Sequence, residues 1–535
     1  MTLLYIILSV LGASVVLTVS FRIYERHKLK KKIKLLWNKR ESLNDSDVLY
    51  EKHYNYFVNQ MTYEDTDQRY IVDDVTWKDM DLDDLFRRID YCFTTIGQEL
   101  LYSSLRNSND FDVVDESQVE KFKTDRTYRE GVSYQLAKLS KSRNSNTSKY
   151  MYQSKSEENY NPFFIFTSFL PVLSIPLFII SPFAAVIGFL TGLAVNIYMS
   201  HKHKNSTSRE YDDIFYSMMI IDTAGKMNAE LRHPAFKKLS YLGPLFVSDD
   251  HVGELNMTVQ LFITLKSLFM IDYHMYHMVI RDLRKHQELY RKCWHYTAAL
   301  DVNYSTALWR ESTGTYSHPG ENTEETINTK GLYHPLLTRP VPNDFKYSKD
   351  ILLTGSNASG KSTFMRSVAL NIITGNGLNT TTSTAFNYKK GMVISSMDIS
   401  DSVIEGDSYF ISEVKSLKRI VDEIEDFDGN IYCIIDEIFK GTNTVERVAA
   451  AESFLEYLNK KPNVFVLAAT HDMELTKLLK GRFDFYHFSE QMEDDEIYFD
   501  YTLKPGAAST TNAIELLRLH GFPDEVYKKA KEKVT

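Results

Sequence analysis

Residues 355–362 read GSNASGKS, and the fold of the carboxyl-terminal part of this 535-residue chain follows from them. The run before them, 350–354 (DILLT), reads as a short strand, and 363–374 (TFMRSVALNIIT) has helical spacing. A glycine-rich turn between a strand and a helix is where backbone N–H groups and a helix N-terminus converge on phosphate oxygens. Gly355 and Gly360 permit the turn, and Ser356, Asn357, Ala358 and Ser359 lie between them in the cradle. Lys361 adds a cation at the β and γ phosphates, Ser362 offers a hydroxyl to Mg²⁺, and Thr363 opens the helix. The implied ligand is a nucleoside triphosphate, taken as ATP with Mg²⁺.

A second apolar run, 430–435 (NIYCII), ends in Asp436-Glu437, the arrangement a hydrolytic site requires. Asp436 is expected to hold Mg²⁺ through its hydration shell and Glu437 to polarise the attacking water. A third run, 463–469 (NVFVLAA), leads into Thr470-His471-Asp472. At the carboxyl end of a buried parallel strand, His471 can donate to a γ-phosphate and sense its loss. Continuous apolar runs alternating with helices predict an α/β domain with a largely parallel sheet. An antiparallel edge strand is expected over 496–503, and two closing helices over 512–533.

Four segments, in this order, resemble the MutS-type mismatch-repair ATPases, a branch of the ABC superfamily. LLTGSNASGKSTFMRS (352–367) looks like that family's phosphate loop, and GDSYFISEV (406–414) resembles its Ser-x-Phe-x-x-Glu signature element. DEIFKGTNT (436–444) is similar to its Walker B and following loop, and THDMELT (470–476) to its histidine switch. The resemblance implies that Ser408 completes the site of an opposite subunit by touching the γ-phosphate in trans, with Glu413 on the helix behind it. It also implies that residues 442–444 face a partner copy, hence a homodimer. Ser408 reads equally as the N-cap of a helix whose apolar positions are Phe410, Ile411, Val414, Leu417, Val421 and Ile424. The two roles are compatible. The catalytic group expected from residues and resemblance together is Glu437, His471, Lys361 and Ser408.

Upstream, KGLYHPLLTRPVPNDF (330–345) is similar to the family's lead-in to its ATPase domain, which makes Val341 and Asn343 adenine contacts or, equally, packing residues. Tyr486-His487-Phe488 falls where the family places another base contact, so His487 is either an adenine contact or a packing residue. Residues 73–106 resemble the start of the helical core that carries the family's levers.

Hydropathy departs from a soluble chain of this kind. Residues 3–21 (LLYIILSVLGASVVLTVSF) are uncharged and about long enough to cross a bilayer. Arg22, Arg26, Lys28, Lys30, Lys31, Lys32, Lys34, Lys39 and Arg40 follow against a single acid, Glu25, so this end of the span is expected to face the cytoplasm. A second uncharged run, 163–199, is too long for one span and suits two joined near Ser181-Pro182, with Pro171, Pro176 and Pro182 kinking the first. Lys141, Arg143, Lys149 and Lys155 precede it and Lys202 and Lys204 follow it, which demands a hairpin with both flanks cytoplasmic. Cys92, Cys293 and Cys433 show neither metal spacing nor a disulfide framework, as in a reducing cytosol.

The net charge of −9 and the acidic stretch 64–84 give no electrostatic footprint of a duplex-binding surface, so DNA as a partner rests on the resemblance alone. The basic run after the first span suits anionic lipid headgroups better than DNA. Before Asp73 the sequence holds an apolar run and a linker where the family has its mismatch-reading domain and Phe-x-Glu wedge, and no dimerisation tail is expected after Gly521-Phe522-Pro523.

The expected organisation is a transmembrane helix (1–21), a basic then acidic cytoplasmic linker (22–72), helical core and levers (73–162 and 200–325) split by a transmembrane hairpin (163–199), and an ATPase domain (326–535). Within the second lever segment, Leu261, Ile263, Leu265, Leu268, Phe269 and Ile271 mark a broadly apolar helical surface. Three functions fit these readings: a membrane-anchored MutS-like ATPase, probed by DNA stimulation; an ATP-switched membrane scaffold without nucleic acid; and a transporter-type ABC protein, opposed by the missing LSGGQ run.

Overall fold

The computed structural model describes residues 20, 23–41, 53–64, 70–107, 113–142, 145–152, 160, 162–237, 266, 268–321, 327–356, 359–397, 409–493, 496–508, 517–518 and 521–534. The first expected span, Asn357, Ala358, Ser408 and Leu261, Ile263 and Leu265 lie outside these residues, apart from residue 20 of the span. Two compact units are formed, one within 1–66, 91–102 and 115–308, the other within 67–90, 103–114 and 309–535.

The second unit is built on a six-stranded sheet. Its strands are β4 (Ile351–Thr354), β6 (Met392–Ser396), β7 (Ile431–Asp436), β8 (Val464–Ala469), β9 (Asp484–His487) and β12 (Lys504–Pro505), in the order β12-β9-β4-β8-β7-β6. All neighbours are parallel except β12 on β9. Strands β4 (ILLT) and β6 (MVISS) are buried at every position, which is why neither alternates between apolar and charged residues. The phosphate-loop helix Lys361–Leu378 and the helices Tyr409–Asp426 and Thr444–Asn459 pack on this sheet. Leu352, Ile394, Ile420, Cys433, Ile435, Leu455 and Val466 meet in its core. A smaller mixed sheet has the order β1-β5-β2-β3, from β1 (Pro319–Glu321), β2 (Ile327–Leu332), β3 (Asn343–Tyr347) and β5 (Ala385–Tyr388).

Two expectations for this unit change. The segment expected to be one edge strand, 496–503, is divided: among the described residues β11 (Glu496–Phe499) pairs with β10 (Glu490–Glu493) in a two-stranded sheet, and the antiparallel edge of the large sheet is β12. Tyr501, with φ +51, breaks the extended backbone between them. Of the two closing helices, the second is Asp524–Val534, while most of the first lies outside the described residues.

The boundary expected at Asp73 also moves, because helix Asp74–Asp79 packs on the exposed edge of β6. Thr76 Oγ1 accepts the Ser395 N–H at 3.1 Å, and the buried Asp79 carboxylate accepts the Ser395 hydroxyl at 2.7 Å and the Met397 N–H at 3.0 Å. An edge strand presents amides that need partners, and this helix supplies them.

The first unit is helical among its described residues. Asp301, on helix Gln287–Thr313, accepts Phe93 N–H at 3.0 Å, Thr94 N–H at 2.8 Å and the Thr94 hydroxyl at 2.6 Å, and so holds the start of helix Thr95–Arg106. Lys149 pairs with the buried Asp213 at 2.6 Å, and Tyr56 stacks on Trp294 with ring centres 4.8 Å apart.

The uncharged run folds as helix Phe163–Leu173, a 3₁₀ turn Ile175–Ile179 and helix Pro182–Met227. Ser181 caps the last helix by accepting Ala184 N–H at 3.3 Å, so Pro182 starts a helix, as suits its missing N–H, and does not kink the preceding one. Among the described residues one helix, Pro182–His203, is long and apolar enough to cross a membrane; Phe163–Ile179 is shorter.

Within the hairpin polarity is inverted. Thr167, Ser168, Ser174 and Asn196 are buried, whereas Ile179 is 90% exposed, Ile180 83% and Phe183 76%. Gly188 and Gly192, a small-x-x-x-small pair, let the helices close up: a Cβ on Gly192 would lie 2.9 Å from Pro171 N, and one on Gly188 3.1 Å from Ser174 Cβ.

Candidate nucleotide site

The phosphate loop leaves β4 through Gly355 (φ +134) and enters its helix through Gly360 (φ +103), backbone regions that exclude ordinary side chains. Ser359 turns back on the loop, its N–H and hydroxyl both donating to Ser356 O, at 3.2 and 2.8 Å. Lys361 is buried and donates Nζ to Gly355 O at 2.7 Å and Ser356 O at 2.8 Å, so its ammonium sits inside the cradle. Burial lowers its pKa, and the charges of Asp436 and Glu437 oppose that shift.

Strand β7 brings Asp436 to the same end of the sheet, where the Ser362 hydroxyl donates to its Oδ2. A hydroxyl and a carboxylate oxygen in contact fit a hard cation that takes its other ligands from water and phosphate, which is the habit of Mg²⁺. Glu437 follows with φ +60, its N–H donating to Ala469 O at 3.0 Å. Its Oε1 lies 2.7 Å from His471 Nε2 and its Oε2 2.7 Å from Lys440 Nζ. Burial pushes this carboxyl up, but hydrogen bonds from His471 and Lys440 outweigh it and hold the pKa at about 2. The group is a carboxylate at neutral pH, half-buried and aimed by two cationic or donor partners. His471 follows Thr470, whose N–H donates to Leu353 O of the central strand β4 at 3.0 Å. Asp472 behind it is gripped by Arg447 at 2.7 and 2.6 Å. Lys361, Ser362, Asp436, Glu437 and His471 thus share the carboxyl end of the parallel sheet, where ligands of open α/β sheets bind.

A cavity of about 330 Å³ opens beside Gly360 and Thr363, lined among others by Val341, Asn343, Phe364, Phe488 and Tyr501. Val341 is 39% exposed and available to a flat ligand. Asn343 is nearly buried and committed elsewhere: Nδ2 donates to Val341 O at 3.2 Å and Tyr501 O at 3.1 Å, and Oδ1 accepts Leu503 N–H at 2.7 Å. These bonds make it part of the cavity wall.

His487 does not line the cavity. It sits in β9 opposite Lys504, with Nδ1 2.9 Å from Gly506 O. Tyr501 does line it, its ring against Gly360, where a Cβ would meet Cδ1 at 3.0 Å. Sequence reasoning missed Tyr501 and Lys440. The three aromatics of YFDY (498–501) were the signal for the first, hidden in what read as an edge strand. For Lys440 there was none, because its reach depends on the loop's left-handed residues.

The family described as MutS domain V matches residues 351–535. The chain is 33% identical over 224 residues to the DNA mismatch repair protein MutS of Natronomonas pharaonis, covering 39% of this chain and 26% of that protein. It is 31% identical over 249 residues to the MutS of Caldanaerobacter subterraneus subsp. tengcongensis, covering 44% and 28%. It is also 31% identical over 185 residues to the MutS 2 of Haloarcula marismortui, covering 34% and 19%. The matched stretch therefore spans about a quarter of the length of these relatives. It begins at β4 and takes in every residue of the hydrolytic cluster, so the carboxyl-terminal part of the chain, residues 351–535, is a MutS domain V.

Proposed function

We propose that this chain is a membrane-anchored ATPase that hydrolyses Mg-ATP at a site completed by a second copy and uses the cycle to move its helical region. The carrying observation is Glu437, ionised and held between His471 and Lys440 beside the Ser362–Asp436 pair. A carboxylate so placed can orient and polarise water at a γ-phosphate, with Lys361 neutralising the charge that develops. Ser362 and Asp436 are the residues that would hold Mg²⁺, whose positive charge would offset the negative charge of the phosphates. Ser408 supplies the trans contact in this reading, and residues 442–444 face the partner.

Membrane anchoring is supported by the inverted hairpin. A water-soluble helix pair buries its apolar side chains, and this one buries Ser168 and Asn196 while exposing Ile179, Ile180 and Phe183. The 22 residues Pro182–His203 rise about 33 Å, enough for a hydrocarbon core of ~30 Å. The basic flanks put the domain V side in the cytoplasm, where ATP is.

The relatives are named for DNA mismatch repair, and DNA is the partner they suggest. The net charge of −9 favours a second reading, an ATP-switched membrane scaffold without nucleic acid. The test is phosphate release by the full chain in detergent, with and without duplex DNA across a salt series, together with alkaline extraction of membranes. No release at saturating Mg-ATP would refute hydrolysis; release indifferent to DNA would favour the scaffold; extraction into the soluble fraction would refute the anchor.

A further inference from the structure

Helix Tyr409–Asp426 reaches the hydrolytic loop through Phe410 and, by hydrogen bonds, through Glu413, which is 1% exposed. Its Oε1 accepts the backbone N–H of Lys440 at 2.9 Å and its Oε2 that of Gly441 at 3.4 Å. Both amides belong to the loop that joins β7 to helix Thr444–Asn459. Two non-glycine residues of this loop, Glu437 and Phe439, have φ +60 and +57, a region that L-residues occupy only when their surroundings hold them there.

The loop is held at three places. At its start Glu437 N–H donates to Ala469 O, and at its end Asn443 caps the following helix by accepting Glu446 N–H at 3.1 Å. Between these ends, Glu413 takes the two consecutive amides. The contact is close: a Cβ on Gly441 would lie 2.8 Å from Phe410 Cβ and 3.0 Å from Phe410 Cα. The helix is itself fastened, since Ser416 Oγ donates to Ser396 Oγ at 3.0 Å and Arg419 pairs with Asp73 and donates to Ser395 O.

We infer that Glu413 is a positioning residue for hydrolysis: by holding the amides of Lys440 and Gly441 it fixes the path on which Lys440 meets Glu437 Oε2 and leaves Oε1 to His471. The same link passes a displacement of helix Tyr409–Asp426 to the water-polarising carboxylate. This rests on the hydrolysis proposed above.

The test is steady-state phosphate release by the full chain in detergent, with nucleotide affinity measured separately. Glu413→Ala is expected to lower kcat by about tenfold or more, since small misplacements of catalytic groups are costly. KM and nucleotide affinity should stay near wild type, because among the described residues Glu413 bonds to Lys440 and Gly441 and does not line the cavity beside Gly360. Glu413→Gln, which keeps an oxygen for one amide, should recover part of the rate, and Glu413→Asp, too short for both, should not. A kcat for Glu413→Ala equal to wild type, or an affinity loss as large as the rate loss, overturns the inference. Should Glu413→Ala fail to fold, equal rates in the Gln and Asp variants overturn it instead. A wild-type chain without phosphate release would refute the hydrolysis itself, whereas an active wild type with indifferent Glu413 variants refutes only the positioning role.

Discussion

Replacing Glu437 by Gln tests the centre of the site. The substitution keeps the side chain's length and one acceptor oxygen but removes the charge that both His471 and Lys440 address at 2.7 Å. A positioned general base contributes about 10²–10⁴ in rate, which at 1.36 kcal/mol per decade is ~3–5 kcal/mol of barrier. The Glu437–Lys440 pair is partly exposed, so its loss costs at most ~1 kcal/mol, and nucleotide affinity should move by no more than about fivefold. Phosphate release and nucleotide binding, measured on one preparation, should therefore separate: turnover falls at least a hundredfold while binding holds. A variant that keeps more than about a tenth of wild-type turnover would show that another group polarises the water. The pH dependence adds an independent check. The folded-state pKa of Glu437, about 2, lies below its ordinary value of 4.5, so the folded state binds fewer protons than the unfolded state between them. Its contribution to stability is full above the unfolded value and disappears as pH falls from there towards 2. Wild type and Glu437→Gln should consequently differ most in melting temperature above pH 5 and converge as the solution is acidified.

Tyr501→Ala should raise KM for ATP by about tenfold with little change in kcat, because stacking on a base is worth ~1–3 kcal/mol; His487→Ala should leave KM unchanged, and the reverse pattern would restore His487 as the base contact. Asp301→Ala leaves the buried amides of Phe93 and Thr94 without their acceptor, at ~1–3 kcal/mol each, and should expose residues near 93–97 to limited proteolysis, with Asp301→Asn affected less. Gly192→Leu places a side chain where Pro171 N already stands and should open the hairpin, read as loss of a disulfide engineered between Ser174→Cys and Gly188→Cys; undiminished cross-linking would deny the close packing. A Ser408→Ala chain, inactive alone, should regain about half-site turnover when mixed with Glu437→Gln, and no recovery would argue against a shared site.

The local chemistry of the nucleotide site was readable before any folding. GSNASGKS, the Asp436-Glu437 pair and His471 each close an apolar run, and such runs can only be buried strands of a parallel sheet. The sheet then brings their ends together, as β4, β7 and β8 do here. Other expectations failed where a residue's role depends on backbone path. Tyr501 turns out of the extended region at φ +51, which converts a supposed edge strand into a hairpin, a cavity wall and a short β12. Pro182 is a helix start because Ser181 caps it, a distinction that proline count alone does not make.

The sequence by itself determined the phosphate loop, the acid pair and the apolar runs that become buried strands, and it marked 163–199 as a run without charge, since residue type and spacing set phosphate affinity and strand burial. Only the tertiary structure decided that helix Asp74–Asp79 completes the edge of β6, that Glu413 holds the loop of Glu437, and that the hairpin turns its serines and asparagine inward. Those outcomes depend on which distant amide or side chain fills an otherwise unsatisfied hydrogen bond, and sequence separation carries no information about that.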